Sequence, residues 1–101
     1  MKLYIDTSNS QNIKIILDEE VFETQSHKNS SQFLLSFIDE SLKKKKKKIR
    51  DIKSIEVNVG PGSFTGLRVG VSVANILGYE LNIPVNGVDI KTKKYLNIKY
   101  E

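Results

Sequence analysis

The sequence predicts one α/β domain built on a mixed five-stranded sheet, with the element order βββαβαβ. Three observations carry this expectation: apolar alternation in the first quarter of the chain, two later stretches with helical periodicity, and short apolar runs before and after the second of them. At 101 residues there is room for a single domain, and a chain of this size buries roughly 60–70 % of its unfolded surface. Hydrophobic residues at 39 % and charged residues at 28 % fit an ordered globule.

Residues 2–6, KLYID, alternate with Leu3 and Ile5 on one face, and run into the turn-prone DTSNSQN. The apolar run IKIIL, 13–17, follows as a second strand. Asp18, Glu19 and Glu20 form the next turn and VFET, from Val21, the third strand, so the opening is an antiparallel meander. Beyond the polar QSHKNSS, the residues Phe33, Leu34, Phe37, Ile38 and Leu42 make one helical stripe, with Asn29 or Ser30 as its N-cap. That helix runs out in the lysine block. Ile55, Val57 and Val59 alternate as a fourth strand ending at Gly60. A second helix spans 65–81, closed by Asn82 and by Pro84, whose ring cannot continue it. IPVNGVDI, 83–90, is the fifth strand, and the folded lobe is bounded at 1–89; the tail, 90–101, alternates weakly and is assigned no element. Strand-helix-strand units require parallel neighbours joined by right-handed crossovers, whereas the meander is antiparallel. This mixed order is that of an RNase H-like sheet, the building block of actin-like ATPase domains.

Composition narrows the chemistry. There is no cysteine, so disulfides and thiolate metal sites are excluded, which fits a reducing compartment. His27 is the only histidine. No His-x-x-x-His pair can form, no metal is expected, and a surface place is the simplest account of it. The start, MKLYIDTSNS, lacks an apolar stretch of signal-peptide length, and no run approaches the about 18 residues needed to span a membrane. A cytoplasmic protein without membrane contact is expected. Six of the sixteen Lys and Arg residues form the block Lys43, Lys44, Lys45, Lys46, Lys47 and Lys48. A solvated helix end, where cations complement the dipole, explains such a run better than an RNA handle, because no aromatic residues are interleaved for base stacking.

The stretch GPGSFTG, with Gly60, Pro61, Gly62, Ser63, Thr65 and Gly66, lies where a phosphate loop would lie, between a strand and a helix N-terminus. It fails the Walker A template, because Leu67 follows Gly66 and the cation, Arg68, comes two places late. The dinucleotide fingerprint G-x-G-x-x-G is missed by one residue: Thr65 occupies the third glycine's place, although Asp89 sits where a ribose-binding acid would. Ser63 and Thr65 have no assignable base and are better read as helix caps. Asp6 and Thr7, a turn by default, lie where an actin-like ATPase keeps its first phosphate loop and metal-contacting aspartate. Gly66, Gly70, Ala74 and Gly78 recur every fourth residue and form one inclined, nearly flat row on the second helix. Each glycine inside a helix costs about 1 kcal/mol relative to alanine. Close packing against another helix, of the same domain or of a partner protein, would offset that cost.

Together YIDTS (4–8), FLLSFID in the first helix, GPGSFTGLRVGVSVA (60–74) and IPVNGV (83–88) resemble the bacterial TsaB (YeaZ) family of tRNA threonylcarbamoyladenosine synthesis. That family is related to the actin-like ATPase and glycoprotease group. The resemblance covers about residues 2–89 and implies a noncatalytic scaffold without a cofactor. It would bind a TsaD-like catalytic subunit, with a TsaE-like ATPase in the same assembly, through its two helices. A homodimer through the same helices is the second expectation, and tRNA contact would be indirect. By that resemblance the interface would use Phe33, Phe37, Gly66, Gly70, Ala74 and Gly78. Family members have two RNase H-like lobes, and only the first is expected here: a minimal form, a fragment or half of a split protein. The alternative, from another class, is a nucleotide-binding or hydrolysing domain that uses the glycine loop with Asp6 and Thr7. A glycoprotease-like peptidase is excluded for want of metal ligands.

Overall fold

The computed structural model describes residues 1–9, 11–25 and 30–89. Four strands, β1 (Lys2–Asn9), β2 (Asn12–Leu17), β3 (Glu20–Gln25) and β4 (Ser54–Val57), form one mixed sheet in the order β3-β2-β1-β4, with α1 (Ser31–Lys44) and α2 (Phe64–Leu81) as its helices. The meander is antiparallel, pairing Leu3 with Leu17 and Ile5 with Ile15, while β4 runs parallel to β1 with Ile55 beside Leu3 and Val57 beside Ile5. Period-two alternation sends Leu3, Ile5, Thr7, Ile13, Ile15 and Leu17 to one face, where all are buried. On that face they meet Leu34, Ile38 and Leu42 of α1 and Val71, Val73, Ala74 and Leu77 of α2. Tyr4, Asp6, Lys14 and Ile16 point to the other face and stay half-buried.

The structure extends and shortens the expected elements for local reasons. β1 does not turn at Asp6; it continues through Thr7 and Ser8 to Asn9, with an irregular register between Asp6 and Asn9. Asp18, at φ 56°, and Glu19 make a two-residue hairpin between β2 and β3. Ser30 is the N-cap of α1, its Oγ accepting the Phe33 N–H at 3.1 Å; Asn29 and His27 fall outside the described residues. The first helix ends at Lys44 with a closure in which Lys46 (φ 56°) donates its N–H to the Lys43 carbonyl and Lys47 to that of Leu42. A short 3-10 turn at Ile49–Asp51 then leads into β4. Asn82, left-handed at φ 56°, closes α2 as expected.

The fifth strand does not form among the described residues. In its place Val85 makes one parallel bridge to Ile55, and Asn86-Gly87, both at positive φ (50° and 76°), turn the chain so that Val85 and Val88 exchange hydrogen bonds. Asn-Gly is the strongest short signal for such a tight turn, and it competes successfully with continued extension. The Asn86 side chain then takes the place of a strand: its Oδ1 accepts the Val57 N–H at 2.8 Å and its Nδ2 donates to the Val57 carbonyl at 3.0 Å. Both polar groups of Val57 on that edge are thus satisfied by one amide. Replacing Asn86 by Gly keeps the backbone conformation and removes this amide, and is expected to cost about 1–3 kcal/mol in urea unfolding. An unchanged urea midpoint would show that water satisfies Val57 equally well.

Candidate functional site

The candidate site is the junction of β1 with the glycine loop and α2. Its geometry follows from a close approach. A Cβ added to Gly62 would lie 2.6 Å from the Cβ of Ser8, and one added to Gly70 would collide with the Thr7 hydroxyl and lie 3.4 Å from Ile5 Cγ2. Glycine is therefore required at both positions, and it lets the loop and the helix lie directly on β1. Thr7, fully buried, donates its hydroxyl to the Gly66 carbonyl at 2.5 Å. The Ser63 N–H donates to the Ser8 carbonyl at 2.8 Å.

Three of the loop's backbone N–H groups, those of Gly60, Ser63 and Gly66, bond within the chain. The Gly60 N–H donates to Asn58 Oδ1 (3.0 Å), and the Gly66 N–H to Ser63 Oγ (3.3 Å), which makes Ser63 the N-cap of α2. The Leu67 N–H donates to the Ser63 carbonyl at 2.9 Å. Groups bonded in this way are not presented to an anion. Gly60 has φ 132° and its bond to Pro61 is cis. Pro61, Gly62, Thr65 and Arg68 are exposed, and the Arg68 guanidinium lies 5.4 Å from the centre of the Phe64 ring.

Asp6 sits at the same junction, opposite Lys14 on β2. Its Oδ1 accepts the Ser8 N–H (3.0 Å), the Ser8 hydroxyl (2.6 Å) and the Asn58 amide (3.2 Å). Partial burial pushes its pKa up, but the hydrogen bonds from Ser8 and Asn58 and the charge of Lys14 outweigh that, and hold it below the usual carboxylate range. The cavity beside it, lined by Asp6, Ser8, Asn9, Asn12, Lys14 and Glu23, is about 90 Å³, whereas small-molecule sites enclose about 300–1,000 Å³. Asp6 and Thr7, the nucleotide contacts of the alternative reading, bond their own chain here.

The expected partner row is also placed differently. Gly66, Gly70, Ala74 and Gly78 are all buried, and Gly66 and Gly70 face the domain's own β1. At Gly70 the spacing marks a close approach, and the neighbour there is a strand of the same domain. Phe33 and Phe37 are half-buried on α1 and pack against the core. What faces solvent on α2 is a different set, with Phe64, Ile76 and Tyr79 each more than half exposed. Asn58, which ties Asp6 to Gly60, was not anticipated; its signal was an Asn two residues before a Gly-Pro pair, where such side chains bond the following backbone.

This two-layer α/β lobe has the YeaZ fold. A solved structure of YeaZ from Pseudomonas aeruginosa superimposes with a TM-score of 0.69 at 24 % identity, over 83 % of this chain and 41 % of that one. The model of a family described as "TsaD: tRNA N6-adenosine threonylcarbamoyltransferase" matches residues 16–91, and the chain belongs to that family. Its relatives include the tRNA threonylcarbamoyladenosine biosynthesis protein TsaB of Bacillus subtilis, 34 % identical over 85 % of this chain and 39 % of that protein. The protein of the same name from Buchnera aphidicola is 39 % identical over 55 % of this chain and 25 % of its own length. The chain thus spans about two fifths or less of these relatives.

Gly70→Ala improves helix propensity by about 1 kcal/mol, yet the collision with Thr7 should leave a net loss of about 1–3 kcal/mol in urea unfolding. In a Thr7→Ala background the same substitution should cost less, and strictly additive losses would rule out the contact as the cause. Because the folded pKa of Asp6 is depressed, its contribution to stability is present above the unfolded value of about 3.9 and is lost as pH falls through the folded one. Asp6→Asn should therefore narrow the stability lost between about pH 5 and 2, read from thermal midpoints across that range; an acid limb identical to the parent's would contradict this.

Proposed function

We propose that the chain acts in tRNA threonylcarbamoyladenosine biosynthesis as a noncatalytic scaffold, the first lobe of an RNase H-like fold, and binds a TsaD-like catalytic subunit through its helical layer. The relatives named TsaB support the pathway, and the exposed apolar pair on α2 carries the binding reading. Ile76 and Tyr79 are 51 % and 55 % exposed, stand three residues apart on one helix face, and line an open cavity of about 170 Å³ with Asn75 and Glu80. A partner's apolar side chain would fill it. A TsaE-like ATPase would join the same assembly, and a second copy of the chain would compete for the same face. A scaffold role also accords with a glycine loop whose Gly60 and Gly66 N–H groups bond their own chain and with an Asp6 engaged by Ser8 and Asn58.

Calorimetry with the TsaD-like protein of the same organism tests the reading. The parent should bind saturably, and Ile76→Asp should weaken the complex at least about tenfold with no fall in thermal midpoint, since the residue is exposed. Absence of a complex with the parent would defeat the proposal. So would transfer of a threonylcarbamoyl group to tRNA by this chain alone.

A further inference from the structure

The structure divides the lysine run into two parts with different surroundings. Lys43 and Lys44 lie in the last turn of α1, where a cation complements the helix dipole by about 0.3–1 kcal/mol. Lys43 also pairs with Asp39 at 3.1 Å, and Lys45, the C-cap, with Glu20 at 3.1 Å. Lys46, Lys47 and Lys48 lie beyond the helix, and that account does not reach them. Lys46 holds a left-handed conformation that disfavours every residue with a Cβ by about 1–2 kcal/mol and that glycine adopts freely. Lys48 is the N-cap of the 3-10 turn, a position where small oxygen-bearing side chains are preferred and a cation gains nothing. Neither position asks for lysine on structural grounds. A local rule broken without a structural gain points to use.

The backbone beneath these cations is fixed. The Lys46 N–H bonds the Lys43 carbonyl (3.0 Å), the Lys47 N–H the Leu42 carbonyl (2.9 Å), and the Lys48 N–H Asp51 Oδ2 (2.8 Å). Lys44, Lys46, Lys47, Lys48, Arg50 and Lys53 are all exposed, and none forms an ion pair among the described residues. Asp51, among them, is occupied by the Lys48 N–H. Residues 39–53 hold eight Lys and Arg against three Asp and Glu, a net +5 in a chain whose total is +4. Among the described residues, those outside this segment hold three Lys and Arg against eight Asp and Glu, so the positive charge there is concentrated at this end.

We propose that Lys44, Lys46, Lys47, Lys48, Arg50 and Lys53 form a docking site for the phosphate backbone of a folded RNA. The choice of RNA among polyanions rests on the tRNA-modification reading above. The one exposed large apolar side chain within the group is Ile49, at 37 %. With no aromatic ring to stack bases or enter a lipid surface, the site would read phosphate charge and spacing, not sequence.

Neutralising four to six phosphates gives a slope of log K against log salt of about −3 to −5. Fluorescence anisotropy of the full chain with a tRNA transcript, titrated over about 50–200 mM KCl, tests this, with heparin and phosphatidylserine vesicles as competing polyanions. Saturable tRNA binding with that slope is expected. Replacing Lys44, Lys46, Lys47 and Lys48 together by Gln should lower affinity at least about tenfold and flatten the slope by about 3, while Arg at the same four places should preserve both. Unchanged affinity in the Gln variant would overturn the proposal, as would heparin or vesicles binding as tightly as tRNA. The Gln variant should still bind the catalytic subunit. Loss of that complex in the parent would sink the partner reading while leaving the RNA result standing.

Discussion

The close contact of β1 with α2 is the constraint on which the rest of the lobe depends. Two backbones can lie this near only where side chains are absent, and Gly62 and Gly70 supply the space at the two points where Ser8 and Thr7 would otherwise be struck. The Thr7 hydroxyl then spans the seam to the Gly66 carbonyl in a buried setting, where an unmade hydrogen bond is costly. Because β1 is a central strand between β2 and β4, fixing α2 on it fixes the helical layer over the whole sheet. Leu67, Val71, Val73 and Leu77 can then fill the space that remains.

That seam decides what the glycine loop can do. Glycine-rich turns ahead of a helix present N–H groups to anions when those groups are free. Here three of them serve the chain: the Gly60 N–H bonds Asn58, that of Ser63 bonds Ser8, and that of Gly66 bonds its own cap. The carboxylate of Asp6 is drawn into the same network through Ser8 and Asn58. The loop, the end of β1 and the end of β4 thus form one hydrogen-bonded unit. The surfaces proposed to meet other molecules are the outer side of α2 and the basic end of α1.

Much of this was legible in the residues. Alternation in KLYID and IKIIL placed β1 and β2 and assigned their buried face correctly, because a half-covered sheet enforces period two. The stripes of α1 and α2 and both ends of α2 are legible nearly to the residue, since Ser63 and Asn82 mark those ends with specific backbone bonds, and Ser30 is one of the two caps read for α1. The fifth strand was misread because Val85 and Val88 have strand-like character, while the Asn-Gly between them dictates a turn. In the row of small residues, Gly66 and Gly70 lie against a strand of the same domain. Helical spacing states which residues share a face, and nothing about what lies opposite.

By itself, then, the sequence determined four strands, two helices and their inward faces, because these depend on short-range periodicity and on side chains that bond nearby backbone, while the family followed from the resemblance of GPGSFTGLRVGVSVA and its companion stretches. Only the tertiary structure decided that Gly70 faces Thr7, that Asn86 stands in for a strand beside Val57, and that half of the lysine run lies beyond the reach of a helix dipole. The first two of these contacts join residues that local spacing does not relate. The third turns on where a helix stops inside a run of identical residues, and six lysines in a row carry no signal for that.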